Sequence, residues 1–250
     1  MAALNGVDLD SVHSAIVIRG IETGAPKASV QSVNRMGLWG QRVTERHWES
    51  AEATVAFAID LPKKEEALRR EIFGDVCAWA SACPGWLEVS SMADKRLRAD
   101  AVILPESANL WNWTDEYRIT FRAYGVPYWQ DVEGASTDGT SLAVPGHVMT
   151  AAGCTVTNGT GSTIDSLTVT AGDSVFYFSA LGLAAGEQLV IDHTDDGLVW
   201  IRIKSTGGVF RDAHGKRTSA SSDDLYVMPG TRTVGASAGT AHFWAVGRWI

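Results

Sequence analysis

Between Thr54 and Val89 the spacing of apolar residues changes period twice. Val55, Phe57 and Ile59 alternate with Thr54, Ala56, Ala58 and Asp60, the period-two pattern of a strand with one buried face. From Pro62 the spacing becomes helical: Leu68, Ile72, Val76 and Trp79 fall at steps of four, four and three, and Phe73, Ala80 and Cys83 widen the stripe. Pro62 suits a first helical turn, and Glu65 and Glu66 lie at the positive end of the macrodipole, each four residues ahead of an arginine, Arg69 and Arg70. Pro84-Gly85 stops the helix, and Trp86-Leu87-Glu88-Val89 returns to a strand. No second amphipathic helix is predicted.

Elsewhere the pattern is that of short strands. Ala3–Asp8 and His13–Arg19 open the chain, and Ile21–Val33 is irregular. The Gly-punctuated stretch Asn34–Gly40 fits the tip of a long hairpin with arms Lys27–Val33 and Gln41–Trp48; from sequence alone an ordinary surface hairpin explains it. Arg96–Leu104 places Leu97, Ala99, Ala101 and Ile103 on one face, and Tyr117–Tyr124 does the same with Tyr117, Ile119, Phe121 and Ala123 before Pro127 ends the ladder. Residues 134–150 shift to Gly, Ser, Thr and Ala and read as a connector between a first domain, 1–133, and a second, 151–250. The second domain alternates strands at Cys154–Asn158, Ser166–Thr170, Ser174–Ser179, Gln188–Asp192, Leu198–Lys204, Leu225–Met228, Arg232–Ala236 and Thr240–Trp249 with Gly and Asp turns, the signature of an antiparallel β-sandwich.

Composition narrows function by exclusion. The net charge is −8; Lys and Arg against Asp and Glu number 14 against 19 for residues 1–134 and 7 against 10 for 135–250, so neither half (−5 and −3) has the basic field of a nucleic-acid binder. No apolar run is long enough to span a membrane, and the first residues lack a signal peptide's basic start. Cys77 and Cys83 are predicted on one helix, too far apart to bridge, and Cys154 stands alone, so all three read as reduced structural thiols. Ten tryptophans suit aromatic cores or broad interfaces.

Each candidate for chemistry has a simpler explanation. Gly235-Ala236-Ser237-Ala238-Gly239 matches the G-x-S-x-G elbow, but a strand follows it and the chain ends eleven residues later, so a small-residue hairpin turn is the better reading. Asp192–Gly197 opens like a calcium loop, yet the twelfth position is Ile203. The six histidines are scattered singly. Asn112-Trp113-Thr114 and Asn158-Gly159-Thr160 match the glycosylation pattern with nothing else to suggest secretion. Trp200, Trp244 and Trp249 could stack on a sugar, although each lies in a strand and reads as core. No catalytic residue, metal site or cofactor is predicted.

One resemblance organises these pieces. The strand Val55-Ala56-Phe57-Ala58-Ile59, the helix with Leu68-Arg69-Arg70-Glu71-Ile72 ending near Trp79, Trp86-Leu87, Arg96-Leu97-Arg98-Ala99 and Tyr117–Ala123 before Pro127-Tyr128-Trp129 follow in the order found in the distal tail protein (Dit) family of phages with long non-contractile tails. Leu189-Val190-Ile191-Asp192 and Tyr226-Val227-Met228-Pro229-Gly230 resemble that family's galectin-like second domain. The resemblance implies a mainly β protein: a sandwich-like first domain with one helix and a protruding hairpin, then a galectin-like antiparallel sandwich.

It also implies a homohexameric ring in the virion tail tip, assembled in the host cytoplasm. Such a ring joins the tail tube protein to tail-tip proteins, with a receptor-binding protein as a further partner. Genomic DNA passes through without specific binding, and no membrane is entered. Ring-closing contacts would fall on Arg35, Met36, Leu38 and Trp39. Trp200 and Arg202 are candidates for a sugar or partner contact, but the His, Asn and Arg cluster of true galectins cannot be assembled around them, so a docking module is expected. The competing reading is a carbohydrate-binding sandwich acting as an adhesin without ring assembly.

Overall fold

The computed structural model describes residues 1–26, 28–34, 41–62, 64–105, 116–194 and 198–250. The chain divides into two compact units, Met1–Trp129 (with Ile250) and Gln130–Trp249.

In the first unit one sheet runs in the order Val7–Asp8, Ala2–Leu4, Gly85–Val89, Lys95–Ala99, and a second runs Ile16–Thr23, Ala51–Ile59, Tyr117–Ala123, Ala101–Ile103. The second sheet is built on the two segments with the cleanest alternation. Ala51–Ile59 and Tyr117–Ala123 pair in unbroken antiparallel register, from Tyr117 opposite Phe57 to Ala123 opposite Ala51, seven pairs in all. Their shared apolar face carries Val55, Phe57, Ile119 and Phe121, all fully buried.

The helix packs on that face, but it starts at Glu66, later than Pro62, and ends at Ala80, so Cys83 lies beyond it. Pro62 instead sits in the preceding turn, where its carbonyl accepts from Glu65 N at 3.1 Å. Phe73 meets the ring of Tyr117 edge-on at 5.3 Å and Trp79 meets Phe121 at 5.8 Å, while Trp79 Nε1 donates to Val7 O at 2.8 Å. Glu66 and Arg70 form the expected i,i+4 ion pair at 2.6 Å. Arg69 is 7 % exposed and ties the helix to the preceding strand by donating to Ile59 O and Leu61 O at 3.1 and 2.9 Å. A four-residue helix, Leu9–Val12, also occurs where none was predicted; one turn is too short to show a period.

The run expected as one strand over Arg96–Leu104 is divided at Asp100. Lys95–Ala99 belongs to the first sheet and Ala101–Ile103 to the second, so Ile103 is exposed while Leu97 and Ala99 are buried. Asp100 holds the crossing: Oδ2 accepts from Tyr124 N at 2.6 Å and from Gly125 N at 2.9 Å.

The second unit is a two-sheet sandwich. Its larger sheet runs Ala135–Thr137, Thr240–Ala245, Thr150–Thr157, Gln188–His193, Val199–Lys204, Phe210–Asp212, with Tyr226–Val227 paired to Thr150–Thr157 beside this path. The other runs Ser141–Val144, Gly230–Ala236, Leu167–Ala171, Ser174–Phe178. Inward residues of both, among them Leu142, Phe176, Leu189, Ile203 and Phe243, form one core.

Residues 134–150, read as a connector, hold two of these strands, and the division between units falls ahead of them. Their small residues hide a short alternation in which Leu142 and Val144 are buried. Gly235–Gly239 is a turn between strands of different sheets, not the hairpin expected from its small residues. Cys154 is in the core, where burial pushes its thiol up; the same cause acts more weakly on Cys77 and Cys83, with Asp100 adding to it at Cys83.

Candidate functional site

Two features bear on the expected contacts, and both follow from local sequence. The first is the hairpin of the first unit. Ala28–Asn34 and Gln41–Trp48 pair from Ala28 opposite Trp48 to Asn34 opposite Gln41, with a register shift between Gln31 and Ser32. They form a two-stranded sheet of their own. The expected arms are therefore present. The expected contact residues Arg35, Met36, Leu38 and Trp39 lie outside the described residues.

The second is the outer face of the larger sheet in the second unit. Strand Val199–Lys204 buries Ile201 and Ile203 and turns Trp200, Arg202 and Lys204 outward. Trp200, read from sequence as core, is 46 % exposed, because its parity in the strand is opposite to that of Ile201 and Ile203. The guanidinium carbon of Arg202 sits 3.9 Å from the Trp200 ring centroid, a cation–π stack that bonds the two named candidates to each other. Lys204 lies over the exposed Phe210 at 5.9 Å.

Three strands away, Trp244 lies on the same face. A Cβ placed on its partner Gly153 would come within 2.1 Å of Trp244 Cε2 and 2.2 Å of Nε1, so the indole is laid over the glycine backbone. His242 is beside it, ring centroids 5.8 Å apart, with Nδ1 at 2.7 Å from Asp138 Oδ1. Sequence spacing missed His242–Asp138 because 104 residues separate them; the available signals were a Trp two residues from a His and a glycine inside an apolar strand. Trp249 is not part of this face: Nε1 donates to Asp131 Oδ1 at 2.7 Å and its ring meets His147 at 4.8 Å.

The remaining candidates are accounted for by structural bonding. Ser237 Oγ accepts from Thr168 N at 2.9 Å and Ser237 N donates to Thr168 O, which ties the turn to a neighbouring strand. Asn158 is fully buried, so it does not present its amide to solvent: Nδ2 donates to Ser162 O and Leu183 O, and Oδ1 accepts from Thr160 N and Oγ1. His193 Nε2 is 2.7 Å from Asp224 Oδ1, both nearly buried. Burial by itself would raise the Asp224 carboxyl, but the hydrogen bond and charge of His193, with the Leu225 N–H and Tyr226, outweigh it and hold the carboxyl below its ordinary value. Asp195, Asp196 and Gly197 of the calcium-like stretch, and Asn112 with its neighbours, lie outside the described residues.

The sequence matches no protein-family model and no curated protein. Its structure is similar to the crystal structure of the Dit (gp 19.1) protein of phage SPP1, described as a paradigm of the hub adsorption apparatus in phages that infect Gram-positive bacteria: TM-score 0.72 at 10% identity, covering 100% of this chain and 98% of that one. Two structures of the phage p2 baseplate in its activated conformation, with Ca and with Sr, align at TM-score 0.44, with 9% and 10% identity over 93% of this chain and 90% of theirs. The order of strand, helix and strand that suggested the resemblance in the sequence is thus matched in three dimensions, and the chain has, over its full length, the fold of a phage distal tail protein.

Proposed function

We propose that this chain is a structural hub protein of a phage tail tip and that it works as a homohexameric ring. The observation that carries the proposal is the whole-length likeness in fold to SPP1 Dit, a protein of a hub adsorption apparatus. The ring joins the tail tube protein to tail-tip proteins, with a receptor-binding protein as a further partner, and leaves a channel for DNA. A net charge of −8 suits such a channel: a chain without a basic excess offers the phosphates little counterion release to gain, so the genome slides.

The hairpin supports ring assembly. A two-stranded sheet is marginal in water by itself, and a neighbouring copy is the cover a head-to-tail ring supplies. Its tip residues Arg35, Met36, Leu38 and Trp39 carry the contact in this reading, and the second unit is a docking module. The work is assembly without catalysis, in a virion tail tip built in the host cytoplasm.

Mass measurement in solution with negative-stain imaging tests the ring. A six-fold annulus is expected, and Leu38→Ser with Trp39→Ala should return it to smaller species. A protein that stays monomeric in the presence of its tail partners overturns the proposal. The exposed Trp200 favours a second reading, a glycan-binding sandwich that acts without assembly; the same mass measurement separates the two.

A further inference from the structure

The outer face of the larger sheet aligns two indoles and a carboxylate in a single register row. Ser136 is opposite Trp244, and Trp244 is opposite Gly153. Cys154 is opposite Ile191, which sets Gly153 opposite Asp192, and Asp192 is opposite Trp200. The row therefore reads Ser136, Trp244, Gly153, Asp192, Trp200 across five adjacent strands. The two tryptophans start three strand spacings apart, about 14 Å. The Trp244 indole lies over Gly153 and so leans toward Asp192, which leaves an interval of roughly two strand spacings, ~10 Å, with an exposed carboxylate inside it.

The glycine is the informative member. In the interior of Thr150–Thr157 it weakens the strand, and what it makes room for is an indole lying flat, one ring face backed by the sheet. The next row, Arg202, Val190, Thr155, His242, borders the interval with three polar side chains and one valine. Arg202 is stacked on Trp200, and His242 is fixed by Asp138, so both are held before anything binds. The face carries Arg202 and Lys204 against Asp192, Asp212 and Asp138, the last at hydrogen-bond distance from His242, so it has no basic excess.

We propose that this row is a saccharide seat. A pyranose has an apolar face of C–H groups and a rim of hydroxyls. The first matches the flat Trp244 indole and the exposed Trp200, the second an acceptor carboxylate in the row between them, and the absence of a basic excess favours an uncharged sugar over a polyanion. The sugar stacks on Trp244 and Trp200, and its hydroxyls donate to Asp192. The seat is formed within one unit, so it does not depend on ring assembly; it rests on the hub reading only for its setting, where it adds a direct contact with a carbohydrate surface.

The test uses the full chain on an array of neutral oligosaccharides built from glucose, galactose and N-acetylglucosamine, followed by titration of each sugar that binds, read by tryptophan fluorescence. At least one neutral sugar should bind and change the fluorescence. Trp244→Ala and Trp200→Ala should each weaken it about tenfold or more, the loss of one stacked ring. Asp192→Asn should weaken it severalfold. Gly153→Ala keeps both indoles in the chain but evicts one, and should match Trp244→Ala. Tyr177→Ala, an exposed aromatic on the other sheet, should change nothing. Urea unfolding curves verify each variant, and if Trp244→Ala does not fold, Trp200→Ala at its exposed position decides. The seat is overturned if no neutral sugar binds, if only charged sugars bind, or if binding survives both tryptophan substitutions. None of these results touches the hub reading, which is decided by mass.

Discussion

Replacing Arg211 by Met should destabilise the second unit by about 1.5–3 kcal/mol at pH 7, between the cost of breaking a buried ion pair and that of losing a surface one. The structure sets that range. Both Glu187 oxygens accept from the Arg211 guanidinium, Oε2 at 2.7 Å from Nη2; Oε2 also accepts from Ala184 N at 2.9 Å, and Arg211 Nη2 donates to Gly182 O at 2.8 Å. The Glu187 side chain is 11% exposed and that of Arg211 46%, so the variant strands a desolvated carboxylate while the lost cation was itself partly in water.

The effect has a pH signature. The Arg211 hydrogen bond holds the Glu187 carboxyl below its ordinary value against the opposing effect of burial, with help from the Ala184 N–H. A depressed folded value means that this stabilisation is present above the unfolded value, about 4.3, and is lost as pH falls through the folded one. In Arg211→Met the carboxyl keeps its burial and loses its cation, so protonation relieves the variant. The gap between the two proteins should thus be widest at pH 7 and narrow toward pH 3. Glu187→Gln added to Arg211→Met should recover about 1 kcal/mol at pH 7. Urea unfolding of the full chain at several pH values measures all three. A loss below about 0.5 kcal/mol at pH 7, or an equal loss at both ends of the range, would refute the reasoning.

Two further substitutions test the packing. Asn158→Ala removes a fully buried amide that bonds Leu183 O, Ser162 O and the Thr160 N–H, and should cost about 2–4 kcal/mol by urea midpoint; a neutral result would show that the bonds left behind, Ile164 N to Leu183 O and Thr160 Oγ1 to Ser162 O, hold the turn by themselves. Trp79→Phe keeps an aromatic edge against Phe121 but deletes the bond to Val7 O, and should lower stability by about 1–2 kcal/mol by thermal unfolding, whereas an unchanged midpoint would mean that the bond contributes nothing net.

The parts of the fold legible in the sequence were those in which one local period persists. Ala51–Ile59, the helix and Tyr117–Ala123 each carry enough apolar positions to fix type and buried face. Elements of two to four residues, such as Leu9–Val12 and Phe210–Asp212, have too few positions to show a period. The break at Asp100 was hidden because alternation continues through it while the sheet changes; only the N–H groups of Tyr124 and Gly125, supplied by a distant strand end, reveal the crossing. Trp200 and Arg202 were found by residue type, but the side to which they point depends on Ile201 and Ile203 being the inward pair. The Trp244–Gly153 contact lay further out of reach, since it joins positions 91 residues apart whose opposition follows from tertiary pairing.

The unbroken register between Ala51–Ile59 and Tyr117–Ala123 has a mechanical consequence. Force applied to the two strands along their axes loads all the rungs of this ladder together, so none gives way until many fail at once. The Ala28–Asn34 and Gln41–Trp48 pair answers the same pull differently: drawn apart at its open end, it parts one rung after another. If the hairpin closes the proposed ring, the joints of that ring would part under load while each chain stays folded.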